Sequence, residues 1–253
     1  MSSITIACLT FACIFGGVLA GLLLRRLLPN HHVEGDSRDI IKLGAGFVAT
    51  MAALVLGLLV SSAKNSFDSL NEGFKQASVK LLLLDRTLKQ FGPETKPLRD
   101  LLHRQATHAF HLIWPAQGSA LDNANAIENN QELEKLQVLI RLLPATTDTQ
   151  RALQAQALSI STDMLQSRWL MIEQTQNSLP PVFFIVVVFW LTMLHISFGL
   201  MAPKNPTVLV VLLISSFSIA SALFLINEMN NPLDGVIRLT PAPMQKALEH
   251  LGK

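Results

Sequence analysis

Four long stretches of this chain carry almost no charge. Ile4 to Leu24 is 21 residues without an ionised side chain. At about 1.5 Å per residue a helix of that length covers about 31 Å, the thickness of a bilayer's hydrocarbon core. Leu43 to Val60 is likewise uncharged, bounded by Lys42 and Lys64. Pro181 to Met201 contains one ionisable residue, His195, and Pro206 to Ile226 contains none. Soluble core helices rarely run so long without a charge, so all four read as membrane spans. The first run is preceded by no basic residue and ends in Leu22-Leu23-Leu24, so it reads as a retained helix rather than a cleaved leader.

Composition agrees. Half of the 253 residues are hydrophobic, 15% are charged, and mean hydropathy is +0.39. An ordinary soluble domain carries roughly a quarter charged residues. These values exclude a disordered chain and argue against a soluble enzyme. A net charge of +2 gives no electrostatic reason to bind nucleic acid. Two cysteines, Cys8 and Cys13, exclude a disulfide scaffold.

The spans form two pairs around a large polar insert. The organisation read from the chain is a first transmembrane hairpin over 1–61, a helical bundle over 62–179, a second hairpin over 180–228 and a tail over 229–253. The fold class is therefore an all-α integral membrane protein, with four transmembrane helices in two hairpins and an inserted extramembrane helical bundle. In the insert, Phe67, Leu70, Phe74, Ala77, Leu81, Leu84, Leu88 and Phe91 step alternately by three and four, a coiled-coil-like seam. Gly92-Pro93 ends this helix, which is expected to continue straight out of the second span. A second helix is expected over about Glu94–Ile113, stopped by Trp114-Pro115, and a loop over Ala116–Asn130. A third is expected over Gln131–Leu143 and a fourth from Thr149 towards Asn177, leading into the third span.

Basic residues in short loops set orientation. The first hairpin loop carries Arg25, Arg26, Arg38 and Lys42, the second only Lys204. The tail carries Arg238, Lys246 and Lys253. The insert holds twelve Lys/Arg against twelve Asp/Glu and is too long to count. The count puts the first hairpin loop in the cytoplasm, and the bundle and both termini outside it.

Signatures of chemistry are absent. There is no phosphate-binding glycine loop, no nucleophile elbow and no zinc-type His-Glu-x-x-His. His103, His108 and His111 share a helix and His31-His32 share a loop, but neither set has the ligands of a metal site. No enzymatic activity, cofactor or metal is expected. The intramembrane polar residues are the remaining candidates. His195 is the one ionisable group deep in a span, with Thr192 one turn back as a hydrogen-bond neighbour. Ser215, Ser218 and Ser221 trace a loose polar face on the fourth span, and Glu228 lies just beyond it. These five are candidates for a pore or a polar intramembrane site, with helix contact and interfacial anchoring as the plainer uses.

Small residues mark close helix contacts. Ala45, Ala49, Ala53, Gly57 and Ser61 recur every four residues in the second span, and Cys13, Gly17 and Gly21 do so in the first. Gly17, Gly21, Ala49, Ala53 and Gly57 are thus candidate helix-packing positions, with a pore wall or subunit contact as the alternative.

The order of these parts resembles the bestrophin-like bacterial membrane domain family. Three stretches carry the likeness: "GFVATMAALVLGLLVSSAKNSFDSLNEGFKQA" from Gly46 to Ala77, the Trp114-Pro115 break, and "NNPLDGVIRLTPAPMQKAL" from Asn230 to Leu248. The resemblance implies kinship with bestrophins, which are pentameric anion channels, and hence a multi-pass protein of the bacterial inner membrane that assembles with copies of itself. Bestrophins keep their large domain in the cytoplasm, whereas the basic residues here place it outside. The expectation retained for this chain follows the charges. Two functions stay open: a homo-oligomeric ion channel or pore, and a non-conducting membrane scaffold or sensor whose bundle binds a protein partner.

Overall fold

The computed structural model describes residues 3–29, 35–114, 131–176, 180–203, 205–233 and 236–252. Among them are eight α-helices: α1 (Ser3–Leu27), α2 (Asp36–Phe91), α3 (Lys96–Ile113), α4 (Gln131–Arg141), α5 (Asp148–Gln176), α6 (Pro181–Met201), α7 (Pro206–Asn230) and α8 (Ala242–His250). No strand occurs among the described residues. Helices α1, α2, α6 and α7 each have the length and apolar composition to cross a bilayer. The protein is an all-α integral membrane protein. His31-His32, Pro115, Lys204 and the loop read at Ala116–Asn130 lie outside the described residues.

The chain divides into two compact units, Met1–Phe67 with Ser178–Ile237, and Asp68–Asn177 with Arg238–Lys253. Helix α2 belongs to both and runs unbroken through Ser61–Asn65. It begins at Asp36, one turn and more before the apolar run, with Asp36 and Asp39 favourably placed at its positive end.

In the first unit, α1 lies along α6 and α7. Its core joins Ile14, Ala52, Leu59, Val187, Leu191 and Leu223, all 5% exposed or less. Large apolar side chains such as Leu43, Leu54, Phe189 and Phe217 face outward from these helices. In water such a surface would be costly; in lipid it is the expected solvent-facing layer.

The second unit is built on the seam of α2. Leu70, Phe74, Leu81, Leu84, Leu88 and Phe91 are all buried, and Leu98, Leu102, Leu136, Ile140 and Ala157 from α3, α4 and α5 join that core. The turn after α2 depends on Gly92, whose φ of 149° is open to glycine and rarely to other residues. Pro93 follows in a single 3-10 turn, and Thr95 donates its hydroxyl to the carbonyls of Leu88 and Gly92. At the end of α4, Gln154 Nε2 donates to the carbonyls of Ile140 (2.8 Å), Arg141 (3.2 Å) and Leu143 (3.1 Å). It thereby satisfies acceptors that a helix end leaves open.

Two features differ from the sequence reading. The fourth bundle helix does not run on into the third span: α5 ends at Gln176 and α6 starts at Pro181 with Pro180 as its N-cap. Tandem prolines lack the amides a continuous helix needs, so a new helix begins there. The tail read as one segment over 229–253 is also split, because Arg238–Lys253 is part of the second unit. There α8 buries Ala247 and the following Leu251 in the bundle core.

Candidate functional site

The outward face of α2 is the most distinctive surface of the first unit. Of the four spans it is the one least covered by its own chain, with 11% of its apolar window buried against 22–28% for the others. Gly46, Thr50, Ala53, Gly57 and Ser61 are all exposed and share one stripe. A methyl group added at Gly46 or Gly57 would meet nothing within 4 Å. The larger exposed side chains Leu43, Phe47, Leu54 and Leu58 lie on an adjoining stripe.

Helix geometry explains where the four-residue ridge lies on this surface. A straight helix turns about 100° per residue, so a step of four drifts about 40° around the axis each time. The ridge therefore starts half-buried at Ala45 and Ala49 and emerges on the open side at Ala53, Gly57 and Ser61. Within the chain, Ala53 and Gly57 are exposed, and the buried face of α2 is instead Ala52, Leu59 and Ala63.

Gly17 and Gly21 behave differently. A Cβ at Gly17 would stand 2.8 Å from the Thr192 carbonyl oxygen, and one at Gly21 would collide with the Ile196 carbonyl. Gly199 of α6 reciprocates, because a Cβ there would strike the Val18 carbonyl. The backbones of α1 and α6 thus approach through three glycines, as small residues permit in membranes.

His195 is 1% exposed. Its Nδ1 lies 2.7 Å from the Leu191 carbonyl oxygen, which only accepts, so the proton sits on Nδ1. Nε2 is buried with no partner among the described residues. Thr192 is not its neighbour in hydrogen bonding: that hydroxyl donates to Val188 O at 2.7 Å. The Phe198 ring stands edge-on to the imidazole at 5.7 Å.

The serines of α7 do not share one environment. Ser218 is exposed and Ser215 and Ser221 are half-buried, while Ser216 is fully buried. Ser216, Ser218 and Ser221 each donate to the carbonyl four residues back, at 2.8–2.9 Å. Their hydroxyls serve their own helix.

Glu228 lies in the last turn of α7 and is 1% exposed. A carboxylate there faces the negative end of the helix dipole. Two backbone donors offset that: the amides of Val236 and Ile237 both donate to Oε2, the latter at 3.1 Å. Glu228 folds the segment after the span back onto the helix end. Sequence reasoning placed it just past the span, as an interfacial anchor or a polar candidate for a pore.

In the bundle, sequence reasoning missed a buried ion pair. Asp85 is 3% exposed, and Arg99 meets it through two parallel bonds, Nε to Oδ1 at 2.7 Å and a terminal nitrogen to Oδ2 at 3.0 Å. The hydrogen bond to Asp85 raises the Arg99 pKa above its ordinary value. The Gly252 amide also donates to Asp85 Oδ2, at 3.4 Å. The one available signal was an acid beside the seam position Leu84. Trp114 was singled out as a helix stop. Its indole N–H donates to the Leu239 carbonyl at 3.0 Å, and its ring stands 5.2 Å from Phe74. His108 and His111 are exposed and His103 half-buried, and among the described residues no group of three potential ligands could hold a metal.

Membrane helices in two pairs, a helical insert and a tail returned to that insert define the class. The Bestrophin-like domain model matches residues 12–244, and the chain belongs to the bestrophin-like family. It is also similar to solved structures of bacterial membrane proteins. Two mutant forms of a bacterial bestrophin homologue from Klebsiella pneumoniae share 15% and 14% identity with it. The first match covers 99% of this chain and 98% of that one with a TM-score of 0.66; the second covers 99% of each with 0.67. A mutant structure described as a membrane protein matches at 13% identity, over 98% and 96% of the chains, with a TM-score of 0.67. At these identities the likeness is one of fold. No curated protein matches the sequence.

Proposed function

We propose that the chain is one subunit of a homo-oligomeric ion channel in the bacterial inner membrane, with α2 lining the shared axis. One observation carries the reading: α2 is the span least covered by its own chain, and its exposed stripe is Gly46, Thr50, Ala53, Gly57 and Ser61. Small side chains leave room along an axis, and the adjoining stripe of Leu43, Phe47, Leu54 and Leu58 suits contact with lipid or a neighbouring copy. Kinship with bestrophins agrees with the assembly. The basic first loop favours a bundle outside the cytoplasm.

The test is reconstitution of the purified protein into planar bilayers. A unitary conductance is the expected result, altered when Gly57 is replaced by a bulky residue. Silent bilayers across chloride, potassium and sodium, with insertion demonstrated, would remove the channel reading.

A second reading is a scaffold or sensor whose bundle holds a protein partner. Val138 on α4, Leu142 just after it and Trp169 on α5 favour it, being apolar and more than half exposed on a water-facing unit. Cross-linking from α4 to a defined partner, in a protein that does not conduct, would select it.

A further inference from the structure

The bundle holds a half-open cavity of about 140 Å³. Native interiors rarely leave a hole of this size, because the missing contacts cost stability. It is close to the volume, about 150 Å³, that admits a benzene-sized guest in another protein's interior. The opening arises where Ala77, Ala106 and Ala109 stand at positions that larger side chains would fill. Three methionines, Met164, Met171 and Met244, supply adaptable walls from α5 and α8.

Polarity is unevenly distributed. Twelve of the fifteen lining residues are apolar, so the cavity suits a hydrocarbon or aromatic body. The other three are Gln105, His108 and Arg168. His108 is exposed and the other two half-buried, whereas Phe74, Leu81 and Leu102 are buried. The polar groups therefore stand at the open edge and the apolar groups form the floor. Gln105 and His108 are three apart on α3 and share a face. Gln105 and Arg168 each already interact within the chain, so the rim is held before any guest arrives.

The geometry points to a binding site for a small amphipathic carboxylate, with its apolar body among the alanines and methionines and its carboxylate at Arg168, Gln105 and His108. An arginine pairs with a carboxylate through two charge-assisted bonds, which a neutral alcohol cannot reproduce. The site lies wholly within the second unit and stands apart from the proposal for α2.

Trp114 supplies the readout, because its ring contacts Phe74, a wall of the cavity. The full chain is placed in lipid nanodiscs with Trp169→Phe and Trp190→Phe, leaving Trp114 as the sole indole. It is titrated with ω-bromohexanoate, whose bromine quenches tryptophan, and separately with ω-bromohexanol. Saturable quenching by the carboxylate is expected, with affinity about tenfold weaker for the alcohol and for the carboxylate against Arg168→Gln. Filling the cavity with Ala106→Leu, or independently Ala109→Leu, is expected to abolish saturation while helicity and melting are retained. Linear quenching already in the unfilled protein, or saturable quenching that persists in both filled variants, would overturn the site. Equal affinity for alcohol and carboxylate would overturn the assignment of ligand class.

Discussion

Glu228 and Ile237 are joined across nine residues: the Ile237 amide donates to the Glu228 carboxylate at 3.1 Å, and the Val236 amide donates to the same oxygen. Removing this acceptor leaves two amides unpaired at a partly buried turn. Glu228→Ala is expected to lower stability by about 1.5–3 kcal/mol, and Glu228→Gln by less, because its amide oxygen still accepts. Thermal melting in detergent measures the loss. Hydrogen exchange at Ile237 distinguishes a local opening from a global one, and unchanged protection there in Glu228→Ala would contradict the clamp.

The Asp85–Arg99 pair predicts a different pattern. Breaking a buried pair from one side strands a charge, so Asp85→Asn or Arg99→Met alone is expected to cost about 3–5 kcal/mol at most. The double variant should recover part of that loss, which a double-mutant cycle reads directly. The pH dependence has a definite sign. Arg99 has a raised pKa, so its contribution is complete below the ordinary arginine value and is lost only as pH climbs through the raised one. Melting scans between pH 6 and 9 (about the accessible range) should show no titration from Arg99.

The glycines of the two ridges should respond oppositely. Gly21→Ala drives a methyl group into the α6 backbone, which cannot step aside cheaply, and is expected to destabilise by about 1–3 kcal/mol. Gly57→Ala meets open space within the chain. It should leave subunit folding intact and instead alter assembly or conductance. Size-exclusion chromatography and melting of both variants check this, and equal destabilisation would remove the distinction.

Orientation has a direct assay. With Cys8 and Cys13 replaced by alanine, Lys89→Cys places a thiol on an exposed position of the bundle. Labelling by a membrane-impermeant maleimide in intact spheroplasts is the outcome expected from the basic first loop. Labelling only after lysis would put the bundle in the cytoplasm and reverse the assignment.

What the sequence determined by itself is the content of its apolar periodicities. Four uncharged runs long enough to cross a bilayer leave a chain few alternatives, since only helices satisfy their own backbone there. The three-four seam from Phe67 to Phe91 likewise declares its buried face. Local chemistry was legible too, as at Gly92-Pro93, where a positive φ and a missing amide end α2. Tertiary structure decided what depends on rotation and on distant partners. The four-residue ridge of α2 emerges to the outside at Gly57 because its step does not match the helical repeat. Asp85 finds Arg99 fourteen residues away, and Trp114 finds Leu239 across 125. Such pairings are settled by which surfaces close over one another, and a one-dimensional pattern carries no record of that.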